Sequence, residues 1–529
     1  MLDVVLENAL IVDGTGAAAF HTDIALRGDR IVRIGDCSGR DVAQRIDCSA
    51  FAAAPGFIDM HGHSDEVLFV LPTADSKILQ GVTLEVGGNC GASPGPFSAD
   101  MLARRRADLR SHFGIETSHE DFGGFLDALE LAPPAMNFCC LVGLGEAREA
   151  VGGVTPEPLT REDLERECAL VREACERGAI GVSSGLIYQP GSFADVHELT
   201  TLAATAAKAG SPLYASHIRS EGDALVESVE EALEIGRRGD VAVQLSHHKA
   251  SGRRNWGKVH DTLALVERAR SSGLDVVLDQ YPYKASSTGL DVILPPDVNV
   301  GTRQEIAARL TDPAYFGITA GRIELEYAGR WHEVLIASVA TERARHFEGM
   351  TVAAISEQTG APPAEAALAL LRDEVLDVAA IYFTMCEDDL RTVLEYPNTC
   401  IGSDASARAI TGVTAHGKPH PRAYGAFPRV FKQYVREKRL LSLEEAVRRA
   451  TSLAATRLGL RDRGRIVEGS FADVVLFEPG VIADTSTYAD PHSYPVGIDS
   501  VFVNGTAVVR AGKITGARPG RVLRRGRDL

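Results

Sequence analysis

The chain has 529 residues, of which 45% are hydrophobic and 24% are charged, and such a composition is typical of a globular protein large enough for a barrel with accessory parts. Its formal net charge of −17 argues against a nucleic-acid partner, because phosphate backbones bind basic surfaces. The acidic N-terminus MLDVVLENAL, the lack of an apolar run near the roughly 18 residues of a membrane span, and the lack of disulfide-like cysteine spacing together predict a cytoplasmic protein without a membrane partner.

The two ends of the chain are both rich in predicted strands. Within residues 1–54, DIALRGDRIVRIG predicts a strand, a Gly-Asp turn and a second strand. Within residues 465–529, GRIVEGSFADVVLFEP and SVFVNGTAVVRAGKI predict more strands with glycine turns. Neither end has enough strands to be stable alone, so we expect both to form one small β-sandwich domain. The arginines of the last segment, RPGRVLRRGRDL, are expected on a solvated end.

Residues 55–464 alternate between apolar β-like segments and helical segments. One of the helical segments is REDLERECALVREACERG, which has an acidic first turn and ends at Gly178. The strand candidates are GFIDMH, GVTLEV, MNFCCLVG, AIGVSSG, PLYASH, VAVQLSH, LDVVLDQ and CIGSD. Eight strands with intervening helices predict an α/β fold, a (β/α)₈ catalytic barrel of the TIM type. The interval between the last two strands is too long for one helix, so residues 285–350 are expected to form an inserted subdomain.

The first strand ends in two histidines, in the segment GFIDMHGHSD at residues 56–65. Side chains alternate between the two faces of a strand, so His61 and His63 point to the same side. Two such imidazoles can bind one metal ion, although an isolated H-x-H more often consists of two polar loop residues.

Other strands of the predicted barrel also end in residues with metal-binding side chains. Each has an ordinary alternative: a lone histidine can be a core residue, a lone cysteine a buried thiol, and an aspartate after a strand a helix cap. Active sites of such barrels lie at the carboxyl ends of the strands, and imidazole, thiolate and carboxylate are ligands of zinc. The set therefore predicts a metal site at one rim. It consists of His61, His63, Cys90, His217, His247 and Asp404; His248 is left out because it faces the other side of its strand.

In these residues and their surroundings the chain resembles the N-acyl-D-amino-acid deacylases (D-aminoacylases) of the amidohydrolase superfamily. The resemblance rests on PGFIDMHGHSD, QGVTLEVGGNCGASP, SHIRSEGD, LSHHKASGRRNWGK, LDQYPYKASSTGL, IGSDAS, HPRAYG and GRIVEGSFADVVLF, and it extends to about residue 515. It implies a metal-bearing barrel flanked by a small β domain.

The resemblance also implies a zinc site and a reaction. One tight Zn²⁺ would be held by Cys90, His217 and His247, and a second, weaker position by His61, His63 and Asp404. The enzyme would hydrolyse the amide bond of an N-acyl-D-amino acid with metal-activated water. Asp404 would act as general base and then as general acid.

Four further positions match substrate contacts of that family: Lys249, Tyr281, Ser287 and Arg422. Tyr283 competes with Tyr281, because YPY offers two tyrosines. Arg422 is the better candidate for the substrate carboxylate, since a planar guanidinium suits bidentate binding. The partner would thus be a small N-acyl amino acid.

Two other classes of protein stay open at this stage. One is another amidohydrolase, a β-aspartyl dipeptidase or a hydantoinase-like enzyme. Hydantoinase-like enzymes bridge two metals with a carboxylated lysine from strand four. Here that strand ends in GVSSG without a lysine and Cys90 is present, which argues against the hydantoinase type. The other is a binding protein without catalysis, which should have lost ligands that this chain keeps. The sequence assigns no role to Glu85, and it leaves open the preferred side chain, the acyl group and the oligomeric state.

Overall fold

The computed structural model describes residues 1–529 as a barrel with a sheet at one side and an inserted subdomain at its rim. The strands are β1 (Leu2–Ile11), β2 (Phe20–Arg27), β3 (Arg30–Ile34), β4 (Val42–Asp47), β5 (Ala52–Pro55), β6 (Phe57–Asp59), β7 (Val82–Gly87), β8 (Asn137–Cys140), β9 (Val142–Gly143), β10 (Val182–Gly185), β11 (Leu213–His217), β12 (Ala242–Leu245), β13 (Val276–Gln280), β14 (Ser286–Gly289), β15 (Val334–Val339), β16 (Val378–Tyr382), β17 (Thr399–Ile401), β18 (Val474–Phe477), β19 (Ile498–Val503), β20 (Thr506–Arg510) and β21 (Lys513–Ile514).

The helices lie between these strands, and none is long and apolar enough to cross a bilayer. They are α1 (Val67–Val70), α2 (Asp75–Ile78), α3 (Ala99–Phe113), α4 (Phe122–Leu131), α5 (Leu144–Gly152), α6 (Arg161–Glu176), α7 (Val196–Lys208), α8 (Leu225–Gly239), α9 (Val259–Ser271), α10 (Arg303–Arg309), α11 (Pro313–Tyr327), α12 (Val352–Thr359), α13 (Pro363–Asp373), α14 (Glu387–Glu395), α15 (Arg422–Arg429), α16 (Leu443–Ala450) and α17 (Ser452–Leu458); a π-helix continues α15 over Val430–Glu437.

The barrel contains every strand predicted for residues 55–464. Parallel pairing runs β6-β7-β8 and then β9-β10-β11-β12-β13-β17, and β8 and β9 are two parts of the third barrel strand. The first and last strands meet through a parallel bridge between Gly62 and Ala405 and a hydrogen bond from the His63 amide to the Ala405 carbonyl (3.2 Å). The (β/α)₈ fold class is therefore confirmed.

The strands form where they do because alternate residues are buried on two sides. In β11, Leu213 and Ala215 belong to a cluster inside the barrel, whereas Tyr214 between them belongs to the large core under the helices. A strand buried on both faces reads as a continuous apolar run, which is why the barrel strands are recognisable in the sequence.

The helix α6 shows how sequence signals set the limits of an element. The Thr160 hydroxyl accepts a hydrogen bond from the Asp163 amide (3.1 Å) and caps the first turn, a contact that contributes about 1 kcal/mol. Cys168, Val171 and Cys175 are buried on one face of the helix. Gly178, predicted as the end, follows the last turn with a φ of 114°.

Strands from both termini form one continuous nine-stranded sheet. Its order is β21-β20-β19-β18-β5-β1-β2-β3, with β4 paired to β1, and the junction is the antiparallel pair of β5 and β18. The C-terminal tail differs from the expectation of a solvated end. Val522 bridges Phe138 of the barrel, and Arg524 pairs with Asp127 at 2.7 Å, because the end of the chain packs beneath the barrel.

The inserted subdomain leaves the barrel after β13 and has its own hydrophobic core, which extends from Leu290 to Tyr382. Its sheet order is β14-β16-β15, so the subdomain includes β16 and extends past residue 350, where the predicted insertion ends. The boundary at 350 was wrong because the helices α12 and α13 followed by β16 have the same pattern as a helix and strand of the barrel itself.

Candidate metal centre

The carboxyl ends of the barrel strands bring the predicted metal ligands together. One ligand atom each from His61, Cys90, His247 and Asp404 lie within 4.8 Å of one another. The Cys90 sulfur is 3.3 Å from His61 Nε2 and 3.5 Å from His247 Nε2. His63 joins the group through Asp404, whose Oδ1 lies 3.1 Å from His63 Nε2 and 3.7 Å from His61 Nε2. Imidazole, thiolate and carboxylate groups at this spacing match the ligand preferences of zinc.

His217 provides a direct test of whether a metal fits. Its side chain is buried, yet neither ring nitrogen has a hydrogen-bond partner in the protein. Its ring lies 4.3 Å from that of His247 and 5.0 Å from that of Tyr188, both edge-on. Buried polar atoms are nearly always paired, so an unpaired imidazole directed at a thiol and another histidine fits a metal ligand.

Three of the converging residues have a left-handed backbone. Their φ angles are 54° for Cys90, 33° for His247 and 49° for Asp404, a region that residues other than glycine seldom adopt. Such strain is concentrated at functional sites, where the surrounding structure holds it in place. Here the Asp404 amide donates to the His61 carbonyl (2.7 Å), which fixes the last strand end to the first.

Two carboxylates that the sequence analysis did not assign orient the histidines from behind. Asp279 lies 3.2 Å from His61 Nδ1 and accepts a hydrogen bond from the His247 amide (2.7 Å). Glu221 lies 3.0 Å from His247 Nδ1 and also contacts the Lys249 ammonium. A partner on Nδ1 leaves Nε2 free for the centre, which is the usual arrangement of a ligating histidine. Asp279 and Glu221 lie at or just after the end of a predicted strand, in LDVVLDQ and SHIRSEGD, and this position could have indicated their role.

The ionisation of the site suits a cation. Burial alone would raise the pKa of the Cys90 thiol, but His61, His217 and His247 hold it well below its usual value, so the side chain is a thiolate. Burial would likewise raise the pKa of Asp404, but Arg422 and the histidines hold it well below its usual range. The centre therefore presents two negatively charged side chains among its histidines.

The four predicted substrate contacts all line the same cavity, whose volume is about 370 Å³. The Arg422 guanidinium forms an ion pair with Asp404 Oδ2 (2.7 Å), donates a hydrogen bond to the Ser287 carbonyl (3.1 Å) and lies 4.7 Å over the Tyr281 ring. Lys249 Nζ lies 2.9 Å from His247 Nδ1. Arg422 therefore lies beside Asp404, and Lys249 lies beside His247.

The structure distinguishes Tyr281 from Tyr283, either of which the sequence allowed as a substrate contact. Tyr281 lines the cavity, whereas Tyr283 points away and donates to the Pro421 carbonyl (3.4 Å). His248 lies outside the centre, with its Nε2 2.8 Å from the Thr262 hydroxyl under the barrel wall.

A second, larger cavity opens next to the first and has a volume of about 1340 Å³. It lies between α3 and the inserted subdomain and shares Glu149, Tyr188 and Gln189 with the inner cavity. The two cavities therefore adjoin at Tyr188, whose hydroxyl bonds Thr288 (2.9 Å).

The chain is similar over its whole length to known proteins. Residues 332–509 match the family described as "Amidohydrolase family". The chain is 37% identical over 529 residues to an N-acyl-D-glutamate deacylase of Alcaligenes xylosoxydans xylosoxydans, covering 100% of this chain and 98% of the relative. It is also 37% identical over 526 residues to a D-aminoacylase of the same organism, covering 99% and 98%.

A solved structure gives the same result in three dimensions. The crystal structure of N-acyl-D-glutamate deacylase from Bordetella bronchiseptica superposes with a TM-score of 0.84 at 35% identity, covering 99% of both chains. That enzyme was crystallised with zinc and a phosphonate inhibitor that mimics the tetrahedral intermediate of the reaction.

Proposed function

Since the chain belongs to the N-acyl-D-amino-acid deacylase family of the amidohydrolase superfamily, we propose that its rim residues carry out the zinc-dependent hydrolysis of N-acyl-D-amino acids. The enzyme cleaves the amide bond of such a substrate and releases a D-amino acid and a carboxylate. The observation that carries the proposal is the convergence of His61, Cys90, His247 and Asp404 within 4.8 Å, beside Arg422.

We assign Cys90, His217 and His247 to a tight zinc position. The thiolate character of Cys90 and the unpartnered ring nitrogens of His217 support this assignment. The fourth barrel strand, β10, ends in VSSG and offers no lysine, so Cys90 takes the place of a bridging lysine. When bound, zinc supplies a Lewis acid that polarises the amide carbonyl and makes water nucleophilic at neutral pH. His61, His63 and Asp404 are assigned to the second, weaker position.

Asp404 is the proposed general base and acid. Its low pKa keeps it ionised, and its two oxygens have different partners: Oδ2 contacts Arg422 and Oδ1 faces His63 and His61. Oδ1 is therefore the atom directed at the centre. It takes a proton from the attacking water and delivers it to the amide nitrogen as the C–N bond breaks.

Arg422 is proposed to hold the α-carboxylate of the substrate. Its guanidinium stands over Tyr281 and is fixed by the Ser287 carbonyl, so its orientation is set before substrate arrives. Because the same guanidinium touches Asp404, anchoring the carboxylate there places the scissile amide close to the base. Lys249, held by Glu221, supplies a second positive charge at this side of the cavity.

We also propose that the enzyme works in the reducing cytoplasm on small molecules, without a nucleic-acid or membrane partner. All nine cysteines are free, which suits a reducing compartment. The net charge of −17 disfavours binding to phosphate backbones.

The substitution Arg422→Lys tests the substrate assignment. We expect the KM for N-acetyl-D-methionine to rise roughly 10- to 100-fold, because lysine cannot make the bidentate contact with a carboxylate. Steady-state kinetics of the zinc-loaded enzyme measure this directly. Arg429→Lys is the matched control, since Arg429 pairs with Asp484 (2.8 Å) and does not line the cavity. An unchanged KM for Arg422→Lys would remove Arg422 from the substrate site.

A further inference from the structure

A fully buried group of charges lies beneath the metal centre and has no part in the mechanism above. The Lys77 ammonium lies 2.7 Å from Asp59 Oδ2 and 3.0 Å from Glu85 Oε2, and all three side chains are excluded from solvent. Burying three charges costs several kcal/mol per ion, and apolar residues of equal size often stabilise a fold as well or better. Stability alone therefore does not explain why these three charges are buried together.

The cluster connects the ends of the first and last barrel strands. Asp59 Oδ1 accepts hydrogen bonds from the Ser403 amide (2.8 Å) and the His61 amide (3.3 Å). Lys77 Nζ donates to the Ser403 hydroxyl (2.8 Å) and to the Ala405 carbonyl (2.7 Å). The two flanking residues of Asp404 are thus both held by the same pair of charges.

Glu85 holds the histidine segment from the other side. Its carboxylate accepts hydrogen bonds from the amide (2.8 Å) and hydroxyl (2.7 Å) of Ser64, whose hydroxyl accepts one from the Ala407 amide (2.8 Å). It also packs directly under Gly62, where a Cβ would lie 2.2 Å from the Glu85 side chain. The glycine between the two histidines is therefore required by the carboxylate below it.

Asp404 itself has the strained left-handed backbone described above, with a φ of 49°. A strained conformation of this kind costs on the order of 1 kcal/mol or more and persists only where neighbouring contacts determine it. Those contacts are the anchored amide of Ser403 and the anchored carbonyl of Ala405. These two contacts come from Asp59 and Lys77, and they act beside the bond from the Asp404 amide to the His61 carbonyl.

We propose that Lys77, Asp59 and Glu85 are positioning residues, which hold Asp404 in register with His61 and His63 and so set both proton transfer and binding at the second metal position. The inference rests on the role proposed for Asp404. The residues act through the backbone of the two strand ends and touch neither substrate nor metal. Their loss should therefore lower kcat and weaken the second metal position, while the tight site of Cys90 and the KM stay nearly unchanged.

The test is the double variant Lys77→Met/Glu85→Gln, which removes one positive and one negative charge and so keeps the net charge of the cluster. We expect kcat for N-acetyl-D-methionine to fall about 10- to 100-fold, with KM changed less than about threefold and one tight zinc per chain retained. We also expect the affinity for a second zinc, measured by calorimetric titration of the one-zinc protein, to fall about tenfold or more.

A matched control separates positioning from stability. Arg148→Met/Glu198→Gln removes another buried ion pair, between α5 and α7 and away from the centre. Both double variants should lower the melting temperature, but only the Lys77 variant should lower kcat. Equal kcat in wild type and Lys77 variant, or an equal loss in the control, would overturn the proposal.

A second variant covers the case in which the double variant does not fold. Ser403→Ala keeps every charge and removes only the hydroxyl that accepts from Lys77. We expect it to lower kcat and second-zinc affinity several-fold, and unchanged values of both would contradict the positioning role. A wild-type enzyme that cleaves no N-acyl-D-amino acid would refute the proposed function, whereas the zinc titrations would still test the positioning role on their own.

Discussion

The variant Asp404→Asn is expected to lose turnover by about 10³-fold while retaining its tight zinc. Asparagine has the same shape but cannot accept a proton, so water attack loses its base and the leaving amine loses its acid. The tight zinc should remain because Cys90, His217 and His247 are untouched. Zinc content after dialysis and kcat of the zinc-loaded protein are the two measurements.

The matched control for this variant is Asp484→Asn. Asp484 pairs with Arg429 at 2.8 Å, much as Asp404 pairs with Arg422 at 2.7 Å, but it does not line the cavity. We expect the control to keep kcat near that of the wild type. If Asp404→Asn keeps near-full activity, or loses its tight zinc, the role assigned to Asp404 is wrong.

The second large effect is expected for Cys90→Ser, which should bind the tight zinc at least about 100-fold more weakly and lose activity with it. A serine hydroxyl stays protonated where the Cys90 thiol is a thiolate, so the centre loses a negative ligand. The left-handed backbone at Cys90 is unaffected by this exchange, so the fold around it should persist. Zinc per chain by elemental analysis after dialysis measures the effect.

Cys168→Ser serves as the control, since Cys168 is buried on the outer helix α6. It should retain zinc and activity. A Cys90→Ser protein that still holds one tight zinc per chain would place the ligand elsewhere, among His61, His63 and Asp404.

The fold and the convergence of the candidate metal ligands could be predicted from sequence for one physical reason. Parallel strands buried on both sides give continuous apolar runs, and their carboxyl ends must meet at one rim. His61, Cys90 and Asp404 come shortly after such runs. Once eight parallel barrel strands are predicted, these three residues are expected to lie close together. The pairing of the first and last strands at Gly62 and Ala405 has no sequence signal of its own, but it is expected once eight barrel strands are predicted.

Contacts behind the ligands could not be predicted in this way. Asp279 is the last residue but one of its strand, yet its contact with His61 depends on how neighbouring strands are staggered. Lys77 lies on the four-residue helix α2, and nothing local indicates that its ammonium reaches Ala405, far along the chain. Glu85 has a role only after the last strand has packed against the first, so the sequence alone assigns it none. These partners are chosen by tertiary packing.

The measurement that tests the central claim most directly is the hydrolysis of N-acetyl-D-methionine and N-acetyl-L-methionine side by side, with and without a strong chelator. The account predicts cleavage of the D form alone, abolished by the chelator and restored by zinc. Equal cleavage of both forms, or cleavage that survives complete removal of zinc, would contradict it.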